Sequence, residues 1–192
     1  EYFHILYGHD PEFETEGFRA VDLAIQRAAR YQLAMGDYDR AAADYHTWIE
    51  AHPDDPTVPG ILLRIAEAYE KAGMTDKAIE GYKTVYKDSR TVALDPDMVV
   101  FTRKKVGDLY FEQGEDAKGR KAWNGAIDEY KRLVKSGAEL KRAPVDVAEM
   151  RFKMLQPEFD EYDAITISSD EKQGRKDLRA KTTKMEELKD IY

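Results

Sequence analysis

The chain predicts an all-α solenoid of antiparallel helical hairpins, and three observations carry that prediction. First, a short pattern recurs: a glycine, a small residue five positions on, and an aromatic four beyond that. It reads Gly36, Ala41, Tyr45; then Gly73, Ala78, Tyr82; then Gly114, Gly119, Trp123, with 37 and 41 residues between copies. Self-similarity at about 20 to 50 residues marks stacked repeats rather than one enclosed core. Second, helix signals dominate, and the alternation of half-buried strands occurs only in fragments such as Ala164-Ile165-Thr166-Ile167. Third, apolar stripes such as Ile65, Ala66, Tyr69 and Val106, Gly107, Tyr110 bury only against another helix, so each hairpin must stack on the next.

The elements follow in order. Residues 2–8 read as the second helix of a preceding pair, because His9-Asp10-Pro11 matches Ala51-His52-Pro53, with 42 residues from Pro11 to Pro53. First helices are expected near 15–35, 57–72 and 96–113, and second helices near 37–51, 75–89 and 116–136. Asp37, Thr75 and Asp116 follow helix-ending glycines and are expected to cap the next helix, their oxygens accepting orphan N–H groups. Asp55-Pro56 and Asp95-Pro96 pair a helix-starting acid with a proline whose missing N–H costs nothing in the first turn. Ala143-Pro144 opens a fourth pair, whose first helix reaches toward Ser168 with a kink at Gln156-Pro157; its partner starts near Asp170. The whole of 1–192 thus reads as one array: 1–11 the end of a repeat, repeats at 15–53, 57–90 and 96–136, and a divergent, truncated repeat at 143–192. A start at Glu1 rather than Met, and helix-like residues at both ends, suggest a section of a longer protein.

Composition narrows the function classes. With 35% charged and 11% aromatic residues the chain is not a disordered tail. Runs such as Met98-Val99-Val100-Phe101 are far short of the ~18 apolar residues that span a bilayer, so no direct membrane insertion is expected. There is no cysteine, hence no disulfide, thiolate metal site or cysteine nucleophile. His4 and His9 are not spaced to share a helix face as metal ligands, and His46 and His52 flank a helix end, where imidazole suits the negative dipole. Carboxylate pairs such as Asp54-Asp55 and Glu186-Glu187 lack an apolar pocket, and neither a Gly-rich phosphate loop nor a Gly-x-Ser-x-Gly is present. No catalytic residue, metal or cofactor is expected. Basic runs at Arg103-Lys104-Lys105 and from Lys172 to Lys184 are flanked by acids, and a pI near 5.1 argues against nucleic acid. Pairs such as Asp177–Lys181 instead suggest a solvent-facing helix. Residues 1–60 hold 12 acidic and 4 basic side chains, so a partner drawn to that side would carry a basic segment.

At the repeated positions the chain resembles the tetratricopeptide repeat family. The second copy supplies Ala66, Tyr69, Gly73, Ala78 and Tyr82; the third Gly107, Tyr110, Gly114, Gly119, Trp123 and Ala126. The first supplies Ala29, Gly36, Ala41, Tyr45 and Pro53, but has Gln32 at the aromatic place and Trp48 at a usual alanine. The family implies a right-handed superhelix whose first helices line a groove for a peptide or partner helix. By that alignment the groove set is Gln26, Arg30, Leu33, Leu63, Glu67, Glu70, Lys104, Asp108 and Phe111. Family members that clamp a C-terminal carboxylate use Lys and Asn there. Here Gln26 and Leu63 stand at the lysine places, and Arg30, Glu67 and Asp108 at the asparagine places, so that clamp is not expected. The stretch from Arg151-Phe152 through Pro157-Glu158-Phe159 to Lys184-Met185-Glu186 is similar to repeat proteins of bacterial cell envelopes, including those of gliding motility. The resemblance implies a non-catalytic scaffold for a protein partner, in the periplasm or at the outer membrane, with the cytoplasm as the alternative location. The alternatives are a spacer within a long repeat protein and an accessory domain of an outer-membrane assembly factor.

Overall fold

The structure, a computed structural model, describes the backbone of residues 11–191 and the side chains of residues 23–188. The helix expected at 2–8, with His4 and His9, lies outside them. Among the described residues there are nine helices and no strand, an all-α array of hairpins as the periodicity requires. The chain divides into two compact units, Glu1–Ala143 and Pro144–Tyr192.

Three hairpins make the first unit. They are α1 (Pro11–Met35) with α2 (Tyr38–Ala51), α3 (Val58–Lys71) with α4 (Thr75–Lys87), and α6 (Pro96–Glu112) with α7 (Asp116–Lys135). Each second helix also packs on the first helix of the next hairpin, α2 on α3 and α4 on α6. The turns share one construction. Gly36, Gly73 and Gly114 take φ of 78°, 71° and 75°, a left-handed conformation that a Cβ would oppose. The next N–H then reaches back to a carbonyl of the last turn: Asp37 to Gln32 at 2.9 Å, Met74 to Tyr69 at 2.9 Å, Glu115 to Tyr110 at 2.8 Å.

Side-chain capping departs from expectation at two of these turns. Asp37 caps α2, accepting from the Arg40 N–H at 3.4 Å, but α4 and α7 begin after Met74 and Glu115, neither of which makes a side-chain cap. Thr75 and Asp116 are already the first helical residues, because the backbone bond of the glycine turn sets the start one residue early. Asp95 caps α6 through the Met98 N–H at 3.1 Å, whereas Asp55 sits before the start of α3 and holds Thr57 through its N–H and hydroxyl.

Two structural devices have no motif in the sequence. A six-residue helix, α5 (Ser89–Leu94), takes up the extra length between the second and third hairpins. Its fully buried Thr91 hydroxyl donates to the Val85 carbonyl at 2.7 Å, and Arg90 forks onto Asp88 while donating to the Pro53 carbonyl. At the other end of the unit, Asp97 accepts the N–H groups of Lys141, Arg142 and Ala143 at 2.8, 3.2 and 2.8 Å. Burial pushes the Asp97 carboxyl up, but those three donors together outweigh it and hold the group below its ordinary value of 3.8.

The core is continuous across the hairpins. Tyr45, Tyr82 and Trp123 are 1%, 0% and 5% exposed, so the aromatic of each second helix is the central filler. Ala29, Trp48, Val58 and Ile65 join Tyr45 in one cluster, Ala66, Ala78 and Val106 join Tyr82 in the next, and Tyr69 packs on both. At the third hairpin the helices approach so closely that a Cβ on Gly107 would lie 2.2 Å from the Trp123 ring.

The second unit is a single hairpin of α8 (Ala143–Ala164) and α9 (Glu171–Ile191), with Val147, Met150, Leu155 and Leu188 buried. Pro157 lies within α8, which ends at Ala164, four residues before Ser168. Ile165 and Ile167 fall in the connecting loop rather than in a strand. Asp177 does not take Lys181: it accepts the Ser168 N–H at 3.0 Å, while Lys181 donates to the Ile165 carbonyl and lies over the Tyr162 ring. Lys184 reaches Glu161 at 2.5 Å.

Gly107→Ala should lower stability in urea unfolding by about 1–3 kcal/mol through overpacking. Gly60→Ala, with nothing within 4 Å of the new methyl, should be neutral or gain at most about 1 kcal/mol. Asp97 should contribute stability above pH 3.8 that is lost as the pH falls through its lowered folded value, because protonation then favours the unfolded chain. Asp97→Asn should remove that acid-side slope when unfolding is measured across the window.

Candidate partner-binding groove

The first helices of unit 1 place the nine expected groove residues in two different situations. Gln26, Arg30 and Leu33 of α1 and Glu67 of α3 border open space. Gln26 and Arg30 line a cleft of about 500 Å³ whose other walls include Tyr45, Trp48, Ile61 and Arg64. A second space of about 290 Å³ shares Arg30, Tyr45 and Arg64 and adds Leu33, Glu67 and Lys71. Leu33 also packs on the first core cluster and Leu63 on the second, so these two serve the array as much as its surface.

The remaining four are engaged in the packing of the second and third hairpins. Glu70 accepts from the Tyr82 hydroxyl and, at 2.6 Å, from Lys105 Nζ, which ties α3 to α4 and α6 at once. Burial, then that hydrogen bond, raises the Tyr82 hydroxyl far above its usual range, so it remains a donor. Asp108 accepts the Trp123 indole N–H at 2.9 Å and lies 4.0 Å from Lys104. Phe111 packs against Trp123 with the rings tilted by 52° and their centroids 4.5 Å apart.

Three residues that the sequence marks for packing or for a helix end meet at the cleft. Tyr45 Oη and Trp48 Nε1 are buried without a hydrogen-bond partner. The His52 ring caps α2, stacks on Trp48 at 4.7 Å and places Nδ1 3.0 Å from the Trp48 carbonyl. Trp48, which departs from the family pattern, thus forms part of the cleft wall. Arg64 and Lys105 occupy corresponding places in successive copies, a correspondence that self-alignment of the chain reveals only once Glu70 is seen to bind Lys105.

Residues 61–89 match a family model described as tetratricopeptide repeat. By that match, this stretch is similar to a tetratricopeptide repeat. It runs from within α3 through α4 to the first residue of α5 and contains the Glu70–Tyr82 bond. Tetratricopeptide repeats generally mediate protein–protein interaction and are typically non-catalytic. Among solved structures the chain is similar to "Crystal structure of BtubC (BKLC) from P. vanneervenii", with 18% identity and a TM-score of 0.49, over 96% of this chain and 68% of that one. No curated protein matches the chain. Among the described residues no group of three or more His, Asp or Glu is placed to hold a metal, and no helix is long and apolar enough to cross a membrane.

Glu70→Leu should cost about 1–3 kcal/mol in chemical denaturation, since it leaves the buried Tyr82 hydroxyl and Lys105 without an acceptor. Adding Tyr82→Phe should recover part of the loss, because no orphaned hydroxyl then remains.

Proposed function

We propose that the first unit is a non-catalytic scaffold that holds a protein partner in the cleft between its first two hairpins. The observation that carries this reading is the contrast along the array. Glu70, Asp108 and Phe111 are committed to internal contacts, whereas Gln26, Arg30, Arg64 and Glu67 border open space beside a tetratricopeptide repeat. Of the groove set expected by alignment, Gln26, Arg30 and Glu67 are therefore the residues we assign to partner contact. The acidic residues described between 37 and 55 lie on α2 and the turns around it, so a basic segment of the partner would meet Asp44 and Glu50 on the second-helix side. On the sequence resemblance of its C-terminal stretch alone, we place the scaffold in a bacterial envelope assembly.

A spacer role is the second reading, favoured by the internal commitment of Glu70, Asp108 and Phe111. Charge reversal separates the two. With the partner identified by proximity labelling of the whole protein, Arg30→Glu and Glu67→Lys should each weaken its binding at least about tenfold, or ~1.4 kcal/mol. Arg120→Glu, exposed on a second helix, should leave binding unchanged. A spacer would show no dependence on any of the three in calorimetric titration.

A further inference from the structure

The bonding at the junction between the second and third hairpins has no counterpart at the junction between the first and second. The repeat register pairs Tyr82 with Tyr45 and Glu70 with Leu33, each 37 residues apart, and Lys105 with Arg64, 41 apart. At the later junction one carboxylate, Glu70, accepts from both the aromatic hydroxyl and the cation. At the earlier junction the aromatic and the cation are kept and the carboxylate is replaced by Leu33. Tyr45, 1% exposed, and Trp48, 4% exposed, each hold a buried polar atom with no partner. Arg30 and Arg64 are exposed and form no ion pair among the described residues. All four line the same cleft.

We infer that this cleft takes a carboxylate from an Asp or Glu side chain of the protein partner, in the place that Glu70 fills one junction later. The inference rests on the scaffold reading above and names the chemistry of its ligand. Two guanidinium forks are suited to a carboxylate, and Tyr45 and Trp48 supply buried neutral donors behind them once the flexible arginines turn aside. The surrounding charges agree. Arg30, Arg64 and Lys71 face Glu67 in the smaller space. The two acids of the larger one are already engaged, Asp55 with Thr57 and Asp95 with the Met98 N–H. Ile61, Pro59 and Met98 offer apolar wall beside the cations, so the acid is accompanied by an apolar neighbour in the partner chain. This differs from a clamp for a chain terminus, because the cations come from Arg30 and Arg64 and the floor from Tyr45 and Trp48.

The test uses the two tryptophans as internal probes. The ¹⁵N-labelled chain is titrated with a blocked heptapeptide, Leu-rich with one central Glu, with its Gln analogue, and with glutarate. The Trp48 indole N–H signal should shift with the Glu peptide while that of Trp123, already bonded to Asp108, stays in place. The Gln analogue should bind at least tenfold more weakly. Leu33→Glu should supply the acid from within the chain, raising Tm and cutting affinity for the Glu peptide at least tenfold. Arg64→Gln should cut affinity without the gain in Tm, and it keeps the test decisive if Leu33→Glu does not fold. Equal binding of the Glu and Gln peptides, or no Trp48 shift with either at millimolar concentration, overturns the carboxylate site. Glutarate binding as tightly as the peptide overturns the assignment to a protein side chain. In each of those cases the scaffold reading stands or falls separately on Arg30→Glu and Glu67→Lys.

Discussion

Tyr45 and Tyr82 each sit between two first helices and Trp123 packs against α6, and the array is organised around filling these places and satisfying their polar atoms. Tyr45, Tyr82 and Trp123 are each almost wholly buried, so none can be exchanged for a smaller residue without a cavity between hairpins. Burial brings an obligation, because a hydroxyl or indole N–H removed from water needs an acceptor. Glu70 meets it for Tyr82 and Asp108 for Trp123, from different turns of their first helices. The charged members of the groove face are therefore partly consumed by the core behind them. What is left over for a partner depends on which hairpin supplies its own acid.

The fold was largely legible because its determinants are local and repeated. Gly36, Gly73 and Gly114 mark turns that need a left-handed residue, and the small residue and aromatic that follow mark the face that packs. Cap positions were less legible at Thr75 and Asp116, where the backbone bond of the glycine turn overrides the side-chain preference. α5 escaped notice because a six-residue helix has too little periodicity to register, and its anchor, the Arg90 bond to Pro53, spans 37 residues of chain. Pro157 lies inside α8, which continues past it to Ala164 and stops short of Ser168 because Ile165 and Ile167 belong to the connecting loop.

The groove was legible in outline but not in detail. Family alignment places Glu70 and Asp108 on the groove face, and a register argument cannot tell whether such a carboxylate faces solvent or turns inward to an aromatic. Only the distance from Glu70 to Lys105 and its bond to Tyr82 reveals the second case. The signal that sequence did contain was the difference between copies. Leu33 and Glu70 occupy one register position with opposite chemistry, and that difference becomes meaningful once the role of Glu70 is known.

The Asp97 bonds to the backbone of residues 141–143 bear on how the unit opens. In a linear array each hairpin is held by its neighbours, so the ends are the natural places for fraying. A carboxylate in the first turn of α6 that gathers three consecutive amides pins the far boundary of the unit to its third hairpin. Exchange of those three amides then requires the Asp97 bonds to break, so fraying at that boundary is coupled to the first turn of α6.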